Sequence, residues 1–320
     1  TADDKLLTVL PFSFDYGFSQ LSTAFYVGAQ VVLFDYLLPR DVIRAVQKNR
    51  ITGLACVPPV WNQLASLSWP ESVSTHLRFI TNSGGSLPVT TLYALQKKLP
   101  QTRIYLMYGL TEAFRSTYLD PEELKRRPDS IGKAIPDATI QVLRADGSPC
   151  AANENGELVH SGPLVAQGYW QDAERTAQRF RMLPDGDGDR PAVWSGDTVF
   201  HDEEGFYYFV GRRDGMIKTM GYRVSPSEIE EAVFDSGLVS DAVAIGVPHP
   251  DSGQAIIVVA SPASAESDKD SLALFCRQAL ANYMVPAHIE WREQLPRTPN
   301  DKIDRNRLSE EFSAFFSGSG

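Results

Sequence analysis

Arg78-Phe-Ile-Thr-Asn-Ser-Gly-Gly-Ser86 and, one helix later, Ile104-Tyr-Leu-Met-Tyr-Gly-Leu-Thr-Glu112 carry the pattern from which the fold is read. Each begins as a short apolar, β-prone run and ends in small and polar residues that cannot continue a buried strand. Between them the residues from about Val89 to Lys98 are spaced as a helix. The same alternation holds upstream. Val31-Val-Leu-Phe34 reads as a short buried strand, and Ile51 to Val57 as another. Arg40 to Arg50 places Val42, Ile43, Ala45 and Val46 on one helical face. Strand, loop and helix in repetition predict an α/β fold with a mainly parallel sheet, whose ligands bind beyond the carboxyl ends of the strands. The Gly84-Gly85 loop and the Tyr108–Glu112 loop both fall at that end.

From Ile131 to Val210 the pattern shortens to β segments such as Thr139–Leu143 and Gly156–His160, separated by turns at Asp146-Gly147 and Glu204-Gly205. A small barrel or sandwich is expected there. Pro-Asp-Gly-Asp-Gly-Asp at 184–189 reads as an exposed turn, because no acidic residue closes it as a calcium loop requires. Gly211 to Glu230 then mixes glycines, arginines, Asp214 and Lys218, and runs into a marked helix start. Ser225 reads as N-cap, Pro226 as first helical residue, Glu228 as capping-box partner and Gly237 as the stop. A compact α+β unit follows, with strands at 241–247 and 255–260 and a helix at 271–281. Ser317-Gly-Ser-Gly320 reads as disordered.

At 320 residues the chain has room for two domains with proper cores. A formal charge of -10 from 40 acidic and 30 basic side chains leaves no basic face for nucleic acid. No apolar run reaches the length of a membrane span. Three widely spaced cysteines, Cys56, Cys150 and Cys276, form no metal-ligand pattern and fit a reducing, cytoplasmic setting. The five histidines are read as surface or core residues.

Taken in order, these motifs resemble the adenylate-forming superfamily of acyl-CoA ligases, luciferase-like enzymes and peptide-synthetase adenylation domains. Tyr108-Gly-Leu-Thr-Glu112, Gly156-Glu-Leu through Gly168-Tyr-Trp170, Ser195-Gly-Asp197, Gly211-Arg212 through Glu230, Leu280–Pro286 and Asn300-Asp-Lys-Ile-Asp-Arg305 all match its elements. The resemblance implies a parallel-sheet part at 1–130, a β-barrel part at 131–213 and a mobile α+β domain at 214–320. It implies that Gly84, Gly85 and Ser86 lie along an adenine edge, with Tyr108 and Gly109 on the other side. Thr111 would meet the α-phosphate, Glu112 would bind Mg²⁺, and Asp197 and Arg212 would hold the ribose. Lys302 would bridge carboxylate and phosphate oxygens during adenylate formation. Asp214 would be the hinge, and Gly221 would line the tunnel for CoA or for the phosphopantetheine of a carrier protein. Phe14, Asp15 and Met107, with Val57, Trp61 and Phe114, would shape the acyl pocket. Asp15 falls where amino-acid-activating members place an Asp against the substrate amine; as a turn or capping residue it would have no such role.

The implied reaction joins a carboxylic acid to ATP, releases pyrophosphate, and then passes the acyl group to a thiol. CoA is the leading acceptor; carrier-protein loading by an amino-acid or aryl adenylating enzyme is the alternative, and a non-catalytic nucleotide-binding module the alternative of another class. Two departures are evident. The family's Ser/Thr/Gly-rich phosphate loop has no counterpart, and Gly132-Lys133 lacks the glycine-rich run to replace it. The chain is therefore expected to be the C-terminal part of a larger enzyme, inactive by itself. Asp301 stands where the family usually has Gly, beside Lys302.

Overall fold

The computed structural model describes residues 1–183, 191–212, 215–220 and 222–316. The turn expected at 184–189, the hinge expected at Asp214, the tunnel residue expected at Gly221 and the tail at 317–320 lie outside the described residues. The chain forms two compact units, residues 1–87 with 92–210, and residues 211–320 with the short segment 88–91.

The first unit begins as the alternation predicts: β1 (Lys5–Thr8), α1 (Asp15–Val27), β2 (Gln30–Leu33), α2 (Pro39–Asn49), β3 (Gly53–Cys56), α3 (Pro58–Ser66), β4 (Phe79–Asn82), α4 (Val89–Lys98) and β5 (Arg103–Leu110). These strands are parallel, in the order β2-β1-β3-β4-β5. Leu7, Leu54, Ile80 and Ile104 stand in register across four of them, none more than 2% exposed. Each such side chain contributes about 2 kcal/mol of transfer free energy, so this row fixes the register. Val42, Ile43, Ala45 and Val46 of α2 are all buried against that layer. The strand at 31–34 differs from its expectation. It is the edge strand, with Leu33 66% exposed, because β1 is its sole sheet neighbour.

Chain direction then reverses. β6 (Ala113–Leu119) returns antiparallel to β5, and β7 (Ser130–Ala134), β8 (Thr139–Leu143), β9 (Gly156–Ser161), α5 (Ala173–Arg179), β10 (Phe180–Arg181), β11 (Ala192–His201) and β12 (Tyr207–Arg212) follow. The short strands continue the parallel layer through β6 and β7 into one twelve-stranded sheet.

The second unit holds β13 (Ile217–Thr219), β14 (Tyr222–Val224), α6 (Pro226–Asp235), β15 (Val239–His249), β16 (Gly253–Pro262), α7 (Lys269–Ala279), β17 (His288–Trp291) and α8 (Arg305–Glu311). Alternate residues of the long β15–β16 pair face opposite ways, as strand geometry requires. Ala242, Ala244, Ile256 and Val258 pack with Ile229, Val233, Leu272 and Cys276 of α6 and α7. Val243, Ile245, Ile257 and Val259 pack with Leu308 and Phe312 around α8. The stretch that mixes glycines and arginines holds a hairpin, β13–β14, joined to β16 through Thr219 and Gly253. Ser225 and Pro226 take the N-cap and first-turn positions, and Gly237 takes a left-handed φ of 69° beyond the helix. The capping box does not form, since the Ser225 side chain makes no cap hydrogen bond. Its hydroxyl packs against the backbone of Gly211, where a Cβ would come within 2.9 Å.

Candidate active site

The first candidate residues sit on the β5–β6 hairpin. The strand runs on to Leu110 and pairs Leu110 with Ala113, leaving Thr111-Glu112 as a tight turn rather than part of a five-residue loop. Gly109 is required by that geometry: a Cβ there would lie 2.7 Å from the Arg115 backbone nitrogen. The Thr111 hydroxyl donates to Asp15 Oδ2 at 3.1 Å, tying the turn to the start of α1. The Tyr169 hydroxyl donates to Glu112 Oε1. Burial, and then the Glu112 carboxylate, raise the Tyr169 phenol above the usual tyrosine range, so it keeps the proton that it donates. Tyr169 is itself set by the edge of Phe180 at 5.6 Å and by its own N–H to the Thr176 hydroxyl at 2.9 Å. The sequence marks Gly168-Tyr169 as a motif without assigning the tyrosine a task.

Tyr108 and Asp197, far apart in sequence, meet: the phenol donates to Asp197 Oδ2 at 2.6 Å. Asp197 lies where the register of β11 against β9 shifts, between Trp194 and Thr198, and this irregularity is braced. The Gly196 N–H donates to Glu157 Oε1 at 2.9 Å, the Asp197 N–H to the Ser195 hydroxyl at 3.0 Å, and Ser195 to the Leu158 carbonyl at 2.7 Å. Glu157 and Leu158 belong to the Gly-Glu-Leu motif, which thus acts as the support of Asp197. Asn82 pairs with Leu106 in register, so the loop after β4 leaves the sheet beside Met107 and Tyr108. In that loop Gly84, at a φ of 82°, Gly85 and Ser86 are exposed. Asn82 holds it by donating to the Gly85 carbonyl at 3.0 Å, while Asn82 Oδ1 is buried and receives no hydrogen bond from the protein. An exposed, side-chain-poor loop above an unused acceptor, beside a phenol–carboxylate pair, suits a base and a sugar.

At the acyl candidates, Phe14 is the N-cap of α1, buried in the core with its ring edge-on to Tyr16 at 6.1 Å. Asp15 accepts from the Tyr16 N–H at 2.7 Å with Oδ1 and from Thr111 with Oδ2. Met107 and Phe114 are half-buried, whereas Val57 and Trp61 lie wholly within the core. The Trp61 indole donates to the Cys56 and Thr81 carbonyls at 3.1 and 3.2 Å.

Arg212 and Lys302 belong to the second unit. Arg212 ends β12 with an exposed side chain. Lys302 sits in a small closed loop, its N–H on the Thr298 hydroxyl at 3.3 Å and its carbonyl taking the Thr298 N–H at 2.7 Å. Asp301 adopts a φ of 59°, the left-handed region where glycine is at ease. Its carboxylate is 3.6 Å from Arg297 Nε, and Arg297 Nη2 donates to Asp241 Oδ2 at 2.6 Å. Burial pushes Asp241 up to about 6, the Arg297 guanidinium opposing and Asp301 assisting.

Among the described residues no group of three or more histidine, cysteine or acidic side chains suits a metal. Glu112, a half-buried carboxylate beside the exposed Thr111 hydroxyl, fits the other mode of Mg²⁺ binding, in which one protein carboxylate joins waters and substrate phosphates. Among those residues no helix is long and apolar enough to cross a membrane.

Residues 1–170 match the sequence profile of the AMP-binding enzyme family, and residues 228–302 that of the AMP-binding enzyme C-terminal domain. The long-chain-fatty-acid–CoA ligase of Bacillus subtilis (strain 168) is 30% identical over 314 residues, 96% of this chain and 54% of the relative. A linear gramicidin synthase component from Brevibacillus parabrevis is 33% identical over 309 residues, 95% of this chain and 6% of that protein. The crystal structure of ATP-bound MatB from Rhodopseudomonas palustris superposes with a TM-score of 0.85 at 25% identity, over 99% of this chain and 61% of that one. The chain thus spans about half the length of the curated long-chain ligase it matches. With half of its length under one family profile and the order of its motifs intact, the chain belongs to the AMP-binding, adenylate-forming enzyme family.

Proposed function

We propose that this chain carries the nucleotide-facing and lysine-bearing parts of an AMP-forming acid–thiol ligase, with CoA as the thiol. The observation that carries the reading is the Tyr108–Asp197 hydrogen bond, made from the same hairpin that displays Thr111 and Glu112. On that reading the Tyr108 ring stacks on adenine, Asp197 accepts the ribose hydroxyls and Arg212 donates to the same sugar. The Thr111 hydroxyl turns from Asp15 to the α-phosphate. Mg²⁺ held on Glu112 would neutralise phosphate charge. The acid's carboxylate oxygen attacks the α-phosphorus, the bond to pyrophosphate breaks, and Lys302 offsets the charge that develops on both groups. The thiolate of CoA then attacks the acyl carbon and AMP departs. Between the steps the second unit turns about Asp214, withdrawing Lys302 and bringing Gly221 to the thiol channel.

Carrier-protein loading is the second reading, favoured by the gramicidin synthase likeness. On this reading Asp15 would meet a substrate amine with Oδ2, which the Thr111 hydroxyl vacates, while Oδ1 keeps the Tyr16 N–H. Acid-dependent ATP–pyrophosphate exchange by the full-length gene product, across fatty, aryl and amino acids, tests the first step. Product analysis with CoA or a carrier protein tests the second. Exchange followed by a CoA thioester is expected; absence of any CoA-dependent product would overturn the ligase assignment.

A further inference from the structure

Arg115 lies three residues beyond Glu112, on the returning strand of the hairpin, in a left-handed conformation with φ 61°. The registers of β5 and β6 shift against each other beside it, between Tyr108 and Leu110, and this bulge sets its backbone. Its side chain meets aromatic rings. Its guanidinium carbon lies 5.3 Å from the centroid of Tyr16 and 4.9 Å from that of Phe114. Tyr16 is held in turn by its hydroxyl on Thr81 at 2.5 Å and by the edge of Phe14. A cation–ring contact of this kind uses none of the guanidinium N–H donors. Among the described residues Arg115 has no hydrogen-bond acceptor and no ion-pair partner within 4.0 Å. Asp15 attracts it through space, but the hydrogen bonds of that carboxylate go to Tyr16 and Thr111.

We propose that Arg115 reads a second carboxylate on the acid to be activated, so that the substrate is a dicarboxylic acid and not a plain fatty acid. The proposal rests on the ligase reading above and concerns the same site. A plain acyl chain beside Arg115 would strip water from five N–H donors and return nothing, whereas a carboxylate meets the fork with two parallel hydrogen bonds. The rings beside Arg115 are Tyr16 and Phe114, with Phe14 edge-on to Tyr16 behind them, and these apolar faces suit a short carbon chain rather than phosphate.

The test is acid-dependent pyrophosphate exchange by the full-length gene product with chain-matched pairs, hexanoate against adipate and octanoate against suberate. The diacid is expected to lead in kcat/KM by about 10-fold or more. Arg115→Met should cost the diacid about 100-fold, the discrimination expected when a charged hydrogen-bonding group is lost, and should improve the monoacid. Arg115→Lys, which keeps the charge without the fork, should fall between. Monoacids preferred by the unaltered enzyme, or an unchanged diacid-to-monoacid ratio in Arg115→Met, would overturn the proposal while leaving the ligase reading intact. A rise in the KM for ATP at an unchanged acid ratio would instead make Arg115 a phosphate contact, and exchange with no acid at all would sink both readings.

Discussion

Two short loops carry the residues on which the proposed chemistry turns, and they are built differently. Thr111-Glu112 is the turn of a hairpin closed by the Leu110–Ala113 pair, with a register shift between Tyr108 and Leu110, and its two side chains are held by Asp15 and by the neutral Tyr169 hydroxyl. The loop of Lys302 has almost no strand pairing, a single bridge between Arg297 and Ile303, and is closed by Thr298 and by the charged set Asp241, Arg297 and Asp301. The functional groups of the hairpin are pre-aimed by these hydrogen bonds. The lysine loop fixes the backbone of Lys302, and its charges bind one another. A preformed site and a presented cation are different engineering problems, and the difference can be tested.

The largest effect should come from the presented cation. Lys302→Ala in the full-length gene product is expected to slow adenylate formation by about 10²–10³-fold in kcat, the usual loss when one preorganised charge-stabilising group is removed. Because the loop closes through the backbone of Lys302, the melting temperature should barely move. Unchanged adenylation would remove Lys302 from the chemistry.

Acid should act on the two units with opposite signs. His160 is wholly buried, its Nδ1 on Ser116 and its Nε2 without a hydrogen bond, and burial pulls its pKa down to about 4 from 6.5. The unfolded chain binds that proton more readily, so the stability it contributes is present above pH 6.5 and is lost as pH falls toward 4, on the order of 2 kcal/mol. Asp241 works the other way. Its pKa is raised to about 6 from 3.8, so its contribution is present below pH 3.8 and lost as pH rises through 6. Thermal unfolding of His160→Gln and Asp241→Asn between pH 4 and 7 should each flatten one slope; equal slopes in parent and variants would refute the assignment.

The parallel half of the first unit was legible because burial writes itself into a strand–helix pattern, as the four apolar positions of α2 illustrate. The edge strand β2 misled, since its sequence is as apolar as an inner strand and position in a sheet is not local information. The β13–β14 hairpin was hidden for a related reason: its strands are three residues each, too short to show an alternation, and among the described residues β13 pairs with β16 at Thr219 and Gly253 alone. At the site, the types of Thr111, Glu112 and Asp197 announced themselves. Their supports did not. Tyr169 and Glu157 act through contacts across long separations, which no spacing encodes, and the local bond of Asn82 to the Gly85 carbonyl depends on the loop conformation after β4.

Tyr169 offers a smaller effect on the hairpin side. Tyr169→Phe removes the donor to Glu112 while keeping the ring packed against Phe180. Loss of an outer hydrogen bond to a metal-binding carboxylate usually weakens the metal about 10-fold or more. The half-saturating Mg²⁺ concentration should rise by that factor, with a matching loss in Mn²⁺ binding measured by paramagnetic resonance. An unchanged Mn²⁺ affinity would make the phenol a packing residue only.

The smallest effect is expected at Asp301, and it decides what kind of loop holds Lys302. Glycine at this position would relieve the φ of 59°, worth about 0.5–1 kcal/mol, since aspartate tolerates the left-handed region better than most residues. It would also remove the carboxylate 3.6 Å from Arg297, a half-buried, loosely spaced pair worth about 0.5 kcal/mol. Loss of that carboxylate would ease the burden on Asp241, whose pKa Asp301 helps to raise, so the acid-limb slope of Asp241 should shift slightly toward lower pH. The sum is a stability change within about 1 kcal/mol in Asp301→Gly, read by chemical denaturation, with adenylation altered less than a few-fold. A gain in adenylation of 10-fold or more would mean that the carboxylate restrains Lys302 itself. Near-neutrality would mean that the loop is shaped by the Arg297–Asp241 pair and the Thr298 backbone bonds, and that Asp301 does for the backbone what glycine does elsewhere in the family.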